Sequence, residues 1–518
     1  MKNIHGLLLV GCSALALAGC GPSELASPGT GGNININSPT PSPTPTPTDT
    51  GSGGVTAADE CPTTFAAGLT NEGTIEGPTG EYRVCSLPTT IDVSSTLPFV
   101  EGVLYRMNGR VDVGTDGGPT PSADDTNVTL TIEPGVIVYA SGSAFLMVNR
   151  GNQINAVGTA TRPIIFTSRQ NVLGETTDSS SGQWGGVVLG GRAQVTDCEE
   201  DGATPGTVDC ERQVEGAATP AFFGGVTNDD SSGRMSYVQI RYSGFTLAGG
   251  SELQSLTTGG TGSNTQFDHI MSFNSSDDGM EFFGGYVNMK YVAIVGAEDD
   301  SIDSDTGVKA NLQYVIVAHN SNTHDTIIEA DSNGDRDSTP RQDTKISNFV
   351  FIQGAASADG GAAVYLRGGT DYALMNGIIV SPNDACIRVR HDETMQASGD
   401  DENGAPVFKS VVMECGGDVF VQTDLTAGDG AVADLFNADS NNSSNFTPTL
   451  TSLFINGSNE SGVTAFDAST LSSFFDATDY IGAVEDASDT WYEGWTCDSS
   501  TVTFGNNIGS CTTLPVYD

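Results

Sequence analysis

Short apolar runs alternating with polar positions recur through the middle of the chain. Asp278-Gly-Met-Glu-Phe-Phe, Asp300-Ser-Ile-Asp-Ser-Asp, Thr326-Ile-Ile-Glu-Ala-Asp, Ala362-Ala-Val-Tyr-Leu-Arg, Ala385-Cys-Ile-Arg-Val-Arg and Gly417-Asp-Val-Phe-Val-Gln align on Met280, Ile302, Ile328, Val364, Ile387 and Val419. Side chains of a strand alternate faces with period two, so this apolar column faces a core. Two outward columns follow: Glu281, Asp303, Glu329, Tyr365, Arg388 and Phe420, then Phe283, Asp305, Asp331, Arg367, Arg390 and Gln422. A second family of runs precedes the first, beginning at Tyr237, His269, Tyr291, Tyr314, Phe349 and Gly377. Tyr291 and Tyr314 are 23 residues apart, Glu281 and Asp303 22, and no helical period intervenes. Units of this length, each with two or three short strands, predict a solenoid whose coils stack about 4.8 Å apart. The expected fold is all-β, a right-handed parallel β-helix with N- and C-terminal caps and loop insertions. A leucine-rich repeat would need Leu-x-x-Leu-x-Leu, and a propeller would need hairpin blades of about 40–45 residues.

Around this core the reading divides the chain into five parts. Residues 1–19 form a secretion signal, with Lys2 ahead of a short apolar run. Residues 20–58 are a tether, because Pro39-Thr-Pro-Ser-Pro-Thr-Pro-Thr-Pro cannot pack a core and favours extended polyproline II. Residues 59–113 are a cap with the first coil, 114–422 the β-helix, and 423–518 C-terminal coils with a disulfide-bonded cap. The acidic stretch 196–228 reads as an insertion outside the coil, and short helices are expected near 465–475. No apolar stretch approaches the length of a membrane-spanning helix.

Composition changes the picture in two ways. A net charge of −45 on 518 residues argues against nucleic acid or an anionic membrane surface as partner of the folded part. Its plain explanation is solubility; its functional one is cation binding. Ten cysteines include Cys12 and Cys20 in the leader region, so eight remain for the exported chain. An even number in an exported protein reads as disulfides. Sequential pairing keeps each bond local: Cys61–Cys85, Cys198–Cys210, Cys386–Cys415 and Cys497–Cys511.

Leu17-Ala-Gly-Cys20 resembles the bacterial lipobox, which implies lipid modification of Cys20; Gly21 after it implies sorting to the outer membrane, on a face the motif does not specify. Ile164-Ile-Phe-Thr-Ser with Gln183-Trp-Gly-Gly, the run Asp277-Asp-Gly-Met-Glu-Phe-Phe-Gly-Gly, and Asp479-Tyr-Ile-Gly-Ala with Trp491-Tyr-Glu-Gly-Trp-Thr resemble a family of exported bacterial β-helix lipoproteins. The resemblance covers nearly all of the chain after the tether. It implies the fold, an outer-membrane address and a partner of the TonB-dependent receptor class, and it supplies no catalytic residues.

Chemistry is expected on the outward columns. Glu281, Asp303 and Glu329 on adjacent coils, with Asp305 and Asp331 beside them, repel one another by roughly 1 kcal/mol per pair in water and about 3 at an effective dielectric of 20. A bound cation, raised carboxylate pKa values or the arginines 367, 388 and 390 would offset this. Calcium is the expected ion, as a hard cation taking six to eight oxygens. Glu281, Asp299, Asp303, Asp305, Glu329, Asp331, Asn333 and Asp335 are the candidate ligands; Gly334 and Gln342 exclude an EF-hand. The competing reading is an ion ladder that only holds register. No organic cofactor is expected.

Catalysis would use the same coils, as in a polysaccharide lyase or a paired-carboxylate glycoside hydrolase. Its candidates are Asp300, His324, Arg367 and Arg388: Asp277/Asp278, Asp299/Asp300, His324 and Arg388 echo the spacing of pectin-degrading glycosidases without their Gly-His-Gly, and Arg367 or Arg388 would be the proton acceptor of a calcium-assisted lyase. A binding or accessory surface for a receptor, glycan or other cell-surface partner is the first functional reading. The enzyme is second, and a structural or adhesive envelope protein third.

Overall fold

The computed structural model describes residues 54–214, 217, 219–246, 251–320, 322, 324–332, 336–354, 356–357 and 361–517. The leader, Cys20 and most of the tether lie outside the described residues, as do Asn333 and Asp335. Within them the alternating runs become strands of a parallel β-helix, forming a 15-stranded sheet, an 11-stranded sheet and a two-stranded ribbon. Every pairing along the two large sheets is parallel except the N-terminal hairpin of Thr70–Gly77 with Gly80–Ser86. That hairpin, tied by Cys61–Cys85, closes the edge where coiling begins.

The smaller sheet carries the outward columns. Met280–Phe283, Ile302–Asp305, Ile328–Ala330, Ala362–Leu366 and Ala385–Arg390 pair with the expected register, Met280 to Ile302 to Ile328 to Val364 to Ile387. All five of these residues are buried in one continuous apolar core. The final unit departs from expectation. Ile387 pairs with Phe420, not Val419, so Arg388 meets Val421 and Arg390 meets Thr423. The slip turns the Phe420 ring toward Phe436 of the helix Ala431–Asn437, with 5.3 Å between ring centroids. Aromatic packing against the closing helix outweighs continuation of the alternating pattern.

The larger sheet holds the second family of runs as long strands, among them Gly233–Arg241, Gln266–Phe273, Tyr286–Val295 and Lys309–Ala318. Each bends at one residue of positive φ: Tyr237 (52°), His269 (52°), Tyr291 (64°) and Tyr314 (62°), then Asn348 (53°), Asn376 (52°) and Ser410 (53°). This left-handed conformation is costly for residues bearing a Cβ. Ring stacking compensates, with centroid spacings of 4.1, 4.5 and 5.0 Å from Tyr237 through His269 and Tyr291 to Tyr314. Farther along, Asn348 bonds the Thr478 hydroxyl and Asn376 the Phe466 carbonyl.

Residues 423–518 do more than close one end. From the helix Ala431–Asn437 the chain returns along the larger sheet. Asp476 bonds Gln313, the Trp495 carbonyl accepts from Gln239, and Cys511 accepts from buried Arg241. Trp491 and Trp495 pack on the stacked rings, so the cap consumes them. The expected helices near 465–475 reduce to one short 3₁₀ turn, Ala468–Thr470. All four disulfides pair sequentially. The insertion after residue 195 folds onto the smaller sheet: Phe223 lies over Gly259, where a Cβ would meet its ring at 2.4 Å, and beside Phe283. Among the described residues no helix is long and apolar enough to cross a membrane.

Candidate functional site

Glu281, Asp303 and Glu329 stand in register on three successive coils, Glu281 opposite Asp303 and Asp303 opposite Glu329. The turns that lead into these strands add a second layer. Asp278 and Asp300 sit two residues before Met280 and Ile302, and each caps the turn of the following coil. The Asp300 amide donates to Asp278 Oδ1 at 2.9 Å, and the Thr326 amide donates to Asp300 Oδ1 at 2.8 Å. Together these elements line an open cavity of about 470 Å³ in which nine of the twelve lining residues are Asp or Glu. They are Glu252, Asp277, Asp278, Glu281, Glu298, Asp299, Asp300, Asp303 and Glu329; Ser251, Gln254 and Ser276 complete the wall.

Several of these carboxylates have left bulk water. Asp278 and Asp300 are each 5% exposed and Glu281 8%. Burial pushes the Asp278, Asp300 and Asp303 carboxyls well above the usual range, and neighbouring carboxylates add to it: Asp277 on Asp278, Glu329 on Asp300, Glu281 on Asp303. Glu329 is also raised by burial, with Arg367 pulling the other way. Desolvation and like charge act in the same direction here. Asp303 Oδ1 is buried without a hydrogen-bond partner. An acceptor in that position gains most from a cation or a shared proton.

Three groups of carboxylates each bring one oxygen per residue within 4.8 Å of one another: Asp277, Asp278 and Asp299; Asp278, Glu281 and Asp303; Asp299, Asp300 and Asp325. Two oxygens on one calcium ion lie at most about 5 Å apart, twice the usual ligand distance of 2.3–2.6 Å. The all-oxygen, all-anionic donor set suits a hard divalent cation and not a soft metal.

The cavity gathers five of the expected residues: Glu281, Asp299, Asp300, Asp303 and Glu329. Asp305 and Asp331 lie in the next column, outside its lining. Burial raises Asp305 to about 6, although its carboxylate accepts the Thr306 amide. Arg367 bonds Glu329 at 2.9 Å and Asp331 at 3.1 Å, as an ion ladder would. Those two anions favour its protonated form and work against a role as proton acceptor. Arg388 lies over the Tyr365 ring, 4.4 Å from its centroid. Arg390 was expected near Glu329 and Asp331; it instead pairs with Asp424 at 2.7 Å, which lies one coil further on.

His324 is buried behind the coil, its two ring nitrogens 2.7 and 3.0 Å from the Ala297 and Asn320 carbonyl oxygens. His319 stacks on it. The sequence reading named neither Asp278 nor Asp325 as a ligand. A signal for Asp278 exists in hindsight, since Asp278-Gly-Met and Asp300-Ser-Ile place an acid at the same offset before each strand. Asp325 had a signal too, standing three residues before Ile328 as Asp277 and Asp299 stand before Met280 and Ile302, whereas Glu298 has no acidic counterpart at the matching positions of the neighbouring coils, Ser276 and His324.

With this geometry in place, comparison with known families is informative. A model described as a pectate-lyase-like β-helix domain matches residues 120–496, well over half of the chain. The chain belongs to the pectate-lyase-like β-helix family. Searches of curated proteins and of solved structures return no match. Membership accounts for the stacked coils. It assigns no reaction.

Proposed function

We propose that this member of the pectate-lyase-like β-helix family is a calcium-binding surface module that holds an acidic glycan. The carrying observation is the carboxylate cavity, above all the triad of Asp278, Glu281 and Asp303 with its orphaned Asp303 oxygen. Calcium there would neutralise the triad and present open coordination positions to carboxylate groups of a polysaccharide. On the same face the acids give way to Tyr365, with Arg367 and Arg388 over its ring, which suits the next anionic group along the polymer. The lipobox at Cys20 would anchor the module to the outer membrane through its tether, beside a receptor of the TonB-dependent class. The charge of −45 makes a bare polyanion a poor ligand, so binding has to be cation-dependent.

The test is retention of the protein on immobilised acidic polysaccharides. Retention in calcium that is lost in chelator supports the proposal; retention unchanged by chelator, or none in calcium, refutes it. A second reading, glycoside hydrolase or lyase, draws on the same triad, because neighbouring carboxyls raised by burial and by one another can exchange a proton as an acid–base pair. Arg388 would be the lyase base. Release of reducing or unsaturated ends, abolished in Asp278→Asn, decides for it.

A further inference from the structure

The larger sheet carries a cleft whose chemistry is opposite to that of the acidic cavity. It has a volume of about 510 Å³ and is lined by Thr265, Gln266, Phe267, Asn288, Asn311, Phe474 and three serines. No lining residue is ionisable, in a chain with 65 acidic and 20 basic side chains. The cations on the neighbouring coils are each paired with an acid: Arg234 with Asp268 at 3.2 Å, Lys290 with Asp476 at 2.7 Å, and Lys345 with Asp343 at 2.5 Å.

Its floor is a ladder of amides. Asn288 pairs in register with Asn311, and Gln266 occupies the corresponding position one coil earlier, next to the paired Phe267 and Met289. Asn311 Nδ2 donates to Asn288 Oδ1 at 2.8 Å, which leaves the second carboxamide hydrogens and oxygens of the ladder for a ligand. The returning C-terminal segment forms the wall, with serine hydroxyls and the half-buried Phe474 ring. Lys290 Nζ sits 5.0 Å from the centroid of that ring and holds the wall against the sheet.

We propose that this cleft binds a neutral polysaccharide strand, independently of calcium and of the acidic cavity. Amides and hydroxyls recognise sugar hydroxyls, and an aromatic ring covers the apolar face of a pyranose. The amide ladder repeats once per coil, about every 4.8 Å, close to the length of one sugar in an extended chain. Successive sugars would then meet successive coils. A neutral polymer suffers no repulsion from the surrounding −45 field, whereas a polyanion would.

Affinity electrophoresis of the folded protein through gels containing soluble β-glucan, xylan or galactomannan, with chelator throughout, tests this. Retardation by at least one of these polymers is expected. Gln266→Ala and Asn311→Ala, made separately, each weaken it by about tenfold for the lost hydrogen bonds, while Asp303→Asn leaves it unchanged. Gln266 is exposed, so its truncation leaves the core intact. No retardation in any neutral polymer, or equal retardation of wild type and both cleft variants, would overturn the proposal. Binding seen only with acidic polymers and calcium would also overturn it, while leaving the function proposed for the opposite sheet standing.

Discussion

Replacing Asp303 by asparagine tests the carboxylate cavity through stability and ligand response together. Glu281 and Glu329 lie one coil to either side, about 4.8 Å away. With all three ionised, each neighbour costs roughly 1 kcal/mol at water's dielectric and about 3 at an effective value of 20. Proton uptake relieves part of this, as the raised Asp303 and Glu329 carboxyls indicate, and Arg367 offsets part of the Glu329 charge. A net gain of about 1–2 kcal/mol for Asp303→Asn in chelator near pH 8 is the expected remainder. The sign follows from linkage. Asp303 has a folded-state pKa above its unfolded value, so its contribution is fully present below the unfolded pKa and is lost as pH rises through the folded one. Metal-free wild type should therefore melt progressively lower as pH rises above about 4, with a shallower decline for the variant. Calcium reverses the ranking: at a hundredfold excess over Kd it adds about 2.7 kcal/mol to a protein that binds it, and the variant has lost a ligand. Thermal unfolding followed in chelator and in calcium reads both. The reasoning fails if Asp303→Asn melts below wild type in both conditions, or above it in both.

Other expectations follow from the same packing. Breaking Cys386–Cys415, which closes a sequence separation of 29, should cost about 3–4 kcal/mol in denaturant unfolding. Arg367→Met removes the cation that competes for Glu329 and Asp331, so calcium should bind several-fold more tightly by titration calorimetry while the metal-free protein melts lower. Tyr291→Ala loses the stack with His269 and Tyr314 from a half-buried position and should cost about 1–3 kcal/mol. Tyr291→Gly should cost about 1 kcal/mol less than that, because φ at this corner is 64°; equal melting temperatures for the two would contradict the corner assignment.

The period of two and the repeat near 22 residues were sufficient to place Glu281 beside Asp303 and Glu329, because burying one face of a strand fixes its register. The same logic failed at Val419, where a ring from the closing helix captured Phe420, a contact no repeat encodes. It also missed the ladder from Tyr237 to Tyr314 as a corner, since a single positive φ leaves no trace in hydropathy. The cavity was half legible. Residues on strands could be counted into columns, and Asp278 and Asp325 lie at fixed offsets before the same strands but were passed over as ligands, whereas Glu298 has no acidic counterpart on the neighbouring coils. The return of the C-terminal segment along the larger sheet was not legible, because its contacts join residues hundreds of positions apart, as between Arg241 and Cys511.

Stacked carboxylates that share a divalent cation are the centre of this account, and isothermal titration of calcium into chelator-treated protein addresses them most directly. Saturable heat with calcium, much weaker heat with magnesium, and loss of the signal in Asp278→Asn and Asp303→Asn are the expected results. A flat titration with no rise in melting temperature would contradict it.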